Sequence, residues 1–288
     1  MELRTVLCPL DFTPLSDRAL ELATDTARRF GARLVIEHNL DPRPPGYLSV
    51  TWMWSGDHES EKGAKARDAE RRLQEYLDRL PGDLAREACL TRGPVVEGLQ
   101  HLARQLPADL IVMASHGRSS SEHHSLTEDL IVRAPCPVLA LAEEHEPERA
   151  PREGPILVPV DLSPHSRATV RLALDLSGSL SREVHVLHVN RRPEPAEARG
   201  DSLRRLEALV PAEVRRHVQF HASTGAAVEE ILRLGEELGI GLLVMGCHPK
   251  GMLERMFTGA TACDVLHRSP WPIWYVPQGM PITEPVEA

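Results

Sequence analysis

Lysine is almost absent from this chain. Lys62, Lys65 and Lys250 are the three it has in 288 residues, and arginine supplies the rest of the 33 basic side chains against 42 acidic ones. The formal net charge is −9. Nonspecific binding to nucleic acid draws on a positive surface, so no nucleic-acid partner is expected. Cysteine is also scarce: Cys8, Cys89, Cys136, Cys247 and Cys263 form no CxxC pair, which argues against a disulfide framework in a chain of this length. No apolar run approaches the roughly 18–20 residues that cross a bilayer, and the first residues lack signal-peptide architecture. The expectation is a cytoplasmic protein that does not enter the membrane. A Walker A motif, a GxGxxG fingerprint and a GxSxG elbow are all missing, and with them the usual signatures of P-loop, dinucleotide and serine-hydrolase chemistry.

What the chain has is a copy of itself. Thr5 to Leu40 aligns without a gap on Pro155 to Asn190, at an offset of 150, so that LCPLDFTPLS (Leu7–Ser16) lies over LVPVDLSPHS (Leu157–Ser166). A second match, at an offset of 132, sets GPVVEGLQHLA (Gly93–Ala103) over GAAVEEILRLG (Gly225–Gly235) and DLIVMASHG (Asp109–Gly117) over GLLVMGCHP (Gly241–Pro249). A third, at 135, sets RAPCPVLALA (Arg133–Ala142) over RSPWPIWYVP (Arg268–Pro277). The order is the same in both halves, which is a duplicated domain rather than a short-period solenoid. The stretch 143–154, EEHEPERAPREG, is charged and proline-rich and reads as a linker. The expected organisation is a first domain at 1–142, a second at 155–278 and a loose tail at 279–288.

Within each copy, short continuous apolar runs alternate with stretches of helical period. That pattern predicts a parallel sheet covered on both faces. With right-handed crossovers, the expected architecture is two tandem doubly wound, Rossmann-like α/β domains, each with five parallel strands and about four helices. Ligands of such sheets bind beyond the carboxyl ends of the strands. Asp11 and Asp161 end the first strands. Each carboxylate either accepts a hydrogen bond from a ligand or anchors the start of the following helix. The fourth strands end in MASHGRSSS (Met113–Ser121) and MGCHPKGML (Met245–Leu253), where small residues admit a ligand to the backbone and a helix start favours an anion.

At these residues the sequence resembles the universal stress protein family (UspA-like) in its tandem form. The resemblance rests on Pro9-Leu10-Asp11 and Pro159-Val160-Asp161, on His38 and His188, on the run from Met113 to Ser119, and on the run from Ala134 to Val138. It covers nearly the whole chain. It implies an adenine nucleotide alpha hydrolase-like fold and a regulatory role in the stress response, exerted through partners, rather than a metabolic enzyme. It also implies an ATP site in those members that carry a G-x2-G-x9-G-[ST] loop, with the Asp and a strand-two Val addressing the adenine.

Both copies depart from that loop. In the first, Ala114 replaces the first Gly, Gly117 matches the second, His124 takes the place of the third ahead of a matching Ser125, and the spacer is three residues short. Asn39 stands where Val is usual, and Pro9 and Asp11 match. The second copy keeps the spacing from Gly246 to Gly259, has Pro249 for the middle Gly and Ala260 for the Ser/Thr, and matches at Pro159, Asp161 and Val189. Pro249 has no N–H and Ala260 no hydroxyl; each lost bond to a charged phosphate costs on the order of 1.5–3 kcal/mol. Lys250 and the neighbouring His248 offer partial replacement. The second domain is therefore the expected home of ATP or another adenine nucleotide. The alternatives are a weak ATPase or adenine-nucleotide hydrolase, and a metal- or thiol-responsive sensor built on His116, Glu122, His123 and His124 or on Cys247, His248, Cys263 and His267; no metal is expected. Trp271, Trp274 and Tyr275 mark the last strand, and the resemblance implies that the two domains pair through their fifth strands, with a homodimer as a further possibility. The apolar run from Tyr47 to Trp54 reads as a cover over the crevice or as a contact surface.

Overall fold

The computed structural model describes residues 1–40, 58–115, 126–142, 153–191, 196–247 and 259–277. The run from Tyr47 to Trp54, residues 143–152 of the linker at 143–154, and the tail at 279–288 lie outside them. The described residues form ten strands and eight helices, in two compact units, Glu2–Ala114 and Ser115–Ala288. None of these helices is long and apolar enough to cross a membrane.

The first unit runs β1 (Thr5–Pro9), α1 (Pro14–Phe30), β2 (Arg33–Asn39), α2 (His58–Arg79), β3 (Arg86–Thr91), α3 (Val95–Gln105) and β4 (Leu110–Ser115). Its strands are parallel in the order β3-β2-β1-β4. Val6, Leu7 and Cys8 of β1 and Leu110, Ile111 and Val112 of β4 are wholly buried, which is why these strands read as unbroken apolar runs. Helix α1 starts where its sequence says it should. Thr13 caps it and trades backbone and side-chain hydrogen bonds with Ser16, Pro14 takes the first turn, and Gly31 closes the helix with φ 67°, a left-handed conformation open to glycine at little cost.

The second unit holds α4 (Leu126–Arg133), β5 (Val138–Ala142), β6 (Ile156–Val160), α5 (Ser166–Leu180), β7 (Val184–Asn190), α6 (Ala196–Glu207), β8 (Val218–Thr224), α7 (Ala227–Leu238), β9 (Leu242–Cys247), α8 (Gly259–Arg268) and β10 (Ile273–Pro277). Its strand order is β5-β10-β9-β6-β7-β8. All neighbours are parallel except β5 and β10, which run antiparallel with Trp274 opposite Leu139 and Tyr275 opposite Val138. The fifth strands of the two repeats therefore pair with each other, in keeping with the intramolecular pairing expected from the sequence. Every residue of both strands is buried. The Tyr275 hydroxyl donates to the Ala262 carbonyl at 2.9 Å, and Nε2 of His267 on α8 lies 2.8 Å from Oε1 of Glu128 on α4. These contacts draw α4 and β5, which belong to the first repeat in sequence, into the second compact unit.

On β7 and β8, His185 and His221 meet through Nδ1 and Nε2 at 2.9 Å. Their ring centroids are 5.2 Å apart and their planes differ by 17°. The centroid separation is close to the N···N distance plus two ring radii, so the rings meet edge to edge in one plane and share one proton in an N–H···N bond. Burial lowers the pKa of both imidazoles.

Helix α7 lies close against Trp271, which is 2% exposed. A Cβ at Gly235 would meet the indole carbons at 2.6 and 2.7 Å. Only a residue without a side chain fits there. Gly235→Ala is expected to lower the unfolding free energy by about 1–3 kcal/mol despite the better helix propensity of alanine. Chemical denaturation followed by tryptophan fluorescence checks this; an unchanged or raised midpoint would contradict the packing.

Candidate functional site

Strand β6 ends at Val160, and the chain then turns through Asp161 and Leu162. Leu162 has φ 61° and its counterpart Phe12 has φ 62°. A bulky residue in the left-handed region is strained, and here the strain recurs at the same place in both repeats. Asp161 holds the turn: its Oδ1 accepts from the Ser163 backbone N–H and the Ser166 hydroxyl, both at 2.9 Å. Asp11 does the same in the first unit, accepting from the Thr13 N–H at 3.0 Å and the Thr13 hydroxyl at 2.6 Å. One oxygen of each carboxylate thus anchors the helix start.

A histidine closes the turn from the neighbouring strand. His188 Nδ1 lies 2.9 Å from the Val160 carbonyl and His38 Nδ1 lies 2.7 Å from the Leu10 carbonyl. A carbonyl can only accept, so Nδ1 carries the proton in both rings. The sequence marked these histidines as part of the resemblance without giving them this task.

In the second unit the turn opens onto a cavity of about 320 Å³. Pro159, Asp161, Val189 and Gly246, four of the residues singled out from the sequence, line it together. Thr169 from α5, Ala227 and Ile231 from α7, Arg191 after β7 and Thr261 from α8 also line it and were not singled out from the sequence as site residues. Leu187 and Ile231, almost fully buried, give it an apolar floor, and its polar lining is the hydroxyls of Ser166, Thr169 and Thr261, the Asp161 carboxylate, the His188 imidazole, the Asn190 amide and the Arg191 guanidinium. That is the usual make-up of a small-molecule site. Gly259 and Ala260 open α8, while His248 and Lys250 lie outside the described residues.

The first unit differs at the matching positions. The ladder places Glu37 beside Pro9 and Cys89, as it places Leu187 beside Pro159 and His221. A carboxyl group therefore stands where the second unit has an apolar floor. Glu37 is 1% exposed, its Oε1 accepts from the Thr91 hydroxyl, and burial pushes its pKa up to about 7. Asn39, in the place of Val189, is also buried and donates from Nδ2 to the Gly93 carbonyl at 3.2 Å. Phe12 lies over His38, with ring centroids 4.1 Å apart, and the Arg72 guanidinium sits 4.0 Å from the Phe12 ring centre. Pro9 ends β1 and Asp11 holds the turn that follows it; Gly117 and Ser125 lie outside the described residues.

Among the described residues, no group of three or more His, Cys, Asp or Glu side chains is placed to hold a metal ion. His116, Glu122, His123 and His124 lie outside them. Burial lifts the thiols of Cys89 and Cys247 to about 12 and that of Cys8 higher still, so little thiolate forms at neutral pH.

Two segments of the chain, 2–142 and 154–277, match the model of the universal stress protein family. The chain belongs to that family. A universal stress protein of Mycobacterium tuberculosis is 25% identical over 179 residues, which is 58% of this chain and 61% of that one. The match thus spans about three-fifths of the length of the mycobacterial relatives. A universal stress protein of Thermus aquaticus is 29% identical over 140 residues, 47% of this chain and 96% of that one. Among solved structures, a universal stress protein from Archaeoglobus fulgidus superposes with a TM-score of 0.74 at 20% identity, over 97% of this chain and 100% of that one. At that identity the likeness is one of fold.

Glu37 gives the first unit of this stress protein a pH dependence whose sign is fixed. Its folded pKa, about 7, lies above its ordinary value of 4.5, so between the two the folded chain keeps a proton that the unfolded chain has lost. Stability is full below about 4.5 and falls as pH rises toward 7, by at most on the order of 3 kcal/mol. Glu37→Gln should therefore be more stable than the parent at pH 8 and lose that advantage at pH 4.5, read from denaturation midpoints. An equal difference at both pH values would refute it.

Proposed function

We propose that the second repeat binds one adenine nucleotide in the cavity at the ends of β6, β7 and β9, and that the protein serves the stress response by nucleotide-linked partner binding in the cytoplasm rather than by turning over a metabolite. The reading takes the chain as two stress-protein repeats, 1–142 and 155–278, joined by a linker at 143–154, with 279–288 as a tail. The observation that carries it is the shared lining of one apolar-floored cavity by Pro159, Asp161, Val189 and Gly246. The spacing from Gly246 to Gly259 supports it. In the first repeat, Glu37 and Asn39 remove the apolar surface that a purine would stack on, and the spacer is short. That repeat is read as a degenerate site.

In the hydroxyl–carboxylate pair of the lining, Ser166 on Asp161, the serine is buried and the bond anchors the start of α5, which favours binding over hydrolysis. Pairing through the fifth strands occupies the surface each repeat would offer to a partner repeat. A homodimer of the whole chain would need another face.

Calorimetric titration of the full chain with ATP should give one site per chain. Ala227→Phe, which pushes a ring into the cavity from α7, should abolish the heat while leaving the circular dichroism spectrum unchanged. Two sites per chain, or a titration that Ala227→Phe leaves intact, would show that the nucleotide sits elsewhere.

A further inference from the structure

The cavity of about 320 Å³ lies near the lower bound of small-molecule sites, roughly 300 Å³, and suits a nucleoside better than a whole nucleotide. A phosphate chain on a base seated there has to leave it. The resemblance assigns the phosphates of other members to the loop that here spans Gly246 to Ala260 in sequence. In this chain that segment has Pro249 in place of a backbone donor and Ala260 in place of a hydroxyl.

One way out is a second cavity of about 920 Å³, which shares Arg191, Ala227 and Thr261 with the first. Arg191 follows the last residue of β7, is exposed, and lines both spaces. The second space continues over Gly225 and Val228. Glu229 on its wall is neutralised by Arg268, whose two guanidinium nitrogens donate to the carboxylate at 2.6 and 2.9 Å. Asp264 is the other acidic group of that wall; a phosphate chain that arrives with its divalent counter-ion tolerates it. In the first repeat, the residue at the position of Arg191 is Asp41, of opposite charge.

We infer that Arg191 is the phosphate-binding residue of this protein and that the phosphate chain runs from the nucleoside cavity past Arg191 into the second cavity. This deepens the proposed function and rests on it. The guanidinium offers a planar, two-pronged donor to phosphate oxygens, a task for which lysine is a weaker substitute. The ligand class is thereby narrowed to nucleoside polyphosphates, with affinity set more by the tail than by the base.

The experiment is a parallel titration of the full chain with adenosine and with magnesium-ATP, for the parent, Arg191→Ala, Arg191→Lys and Lys250→Ala. The parent should bind ATP more tightly than adenosine. Arg191→Ala should weaken ATP about ten- to a hundredfold and leave adenosine unchanged, Arg191→Lys should restore part of the loss, and Lys250→Ala should change little. The ATP affinity of the parent, and not its adenosine affinity, should fall with added salt. The inference is overturned if Arg191→Ala weakens both ligands alike or neither, or if the phosphate-dependent part of the affinity is lost in Lys250→Ala instead. If the parent binds neither ligand, the nucleotide reading itself fails and takes this inference with it.

Discussion

Parallel strands buried on both faces leave their carboxyl ends as the place where polar groups can meet a ligand. In this chain β1, β4, β6 and β9 carry almost nothing but buried apolar side chains through their length. Polar groups gather where the strands stop, at Asp11 and Asp161. The geometry there is set by a small number of bonds. A left-handed residue after the aspartate swings the chain out of the sheet, the carboxylate pins the turn to the helix that follows, and a histidine from the next strand holds the last carbonyl. Each part depends on the others. The strained φ of Leu162 or Phe12 persists because the aspartate and the histidine fix the backbone on either side of it.

The two repeats share that frame and differ in what it surrounds. Along the second strand, Glu37, Asn39 and Asp41 of the first repeat correspond to Leu187, Val189 and Arg191 of the second. The substitutions have one direction. In the second repeat they give an apolar floor with a cation at its mouth, which suits a planar base carrying an anionic tail. In the first they give a buried carboxyl, a buried amide and an acidic residue, which repel such a ligand. Under the proposed function, duplication supplied two copies of a site and the side chains of one strand distinguish the copy that binds. Burial keeps Glu37 protonated up to about neutrality, so the cost of that carboxyl builds up between about pH 4.5 and 7 and is complete above that range.

Much of this was legible in the sequence. The offsets of 150, 132 and 135 located both repeats and the order of their elements, because the same segments recur in the same order in each half. Pro159, Asp161, Val189 and Gly246 could be named as one site because the resemblance to the stress-protein family assigns them to its adenine end and its loop. Other features could not be read. Glu37 looks like an ordinary polar residue until the ladder shows which face of β2 it is on, and no local pattern tells a buried glutamate from a solvated one. Gly235 and Trp271 are far apart in sequence, so their close approach has no local signal. Arg191 lies in a stretch rich in arginine and proline, and only its place in the lining of two cavities sets it apart. The antiparallel β5–β10 pair joins strands from different repeats, a non-local choice that the strand patterns permit without dictating, and it is what carries α4 and β5 into the second compact unit.

The central claim is that one repeat binds the nucleotide and the other does not. A crystal structure of the full chain grown with magnesium-ATP tests it most directly. The account predicts one nucleotide per chain, with its base against Val189 and Leu187 and its phosphates beside Arg191, and no nucleotide at Glu37 and Asn39. A nucleotide in the first repeat, alone or in addition, would contradict it.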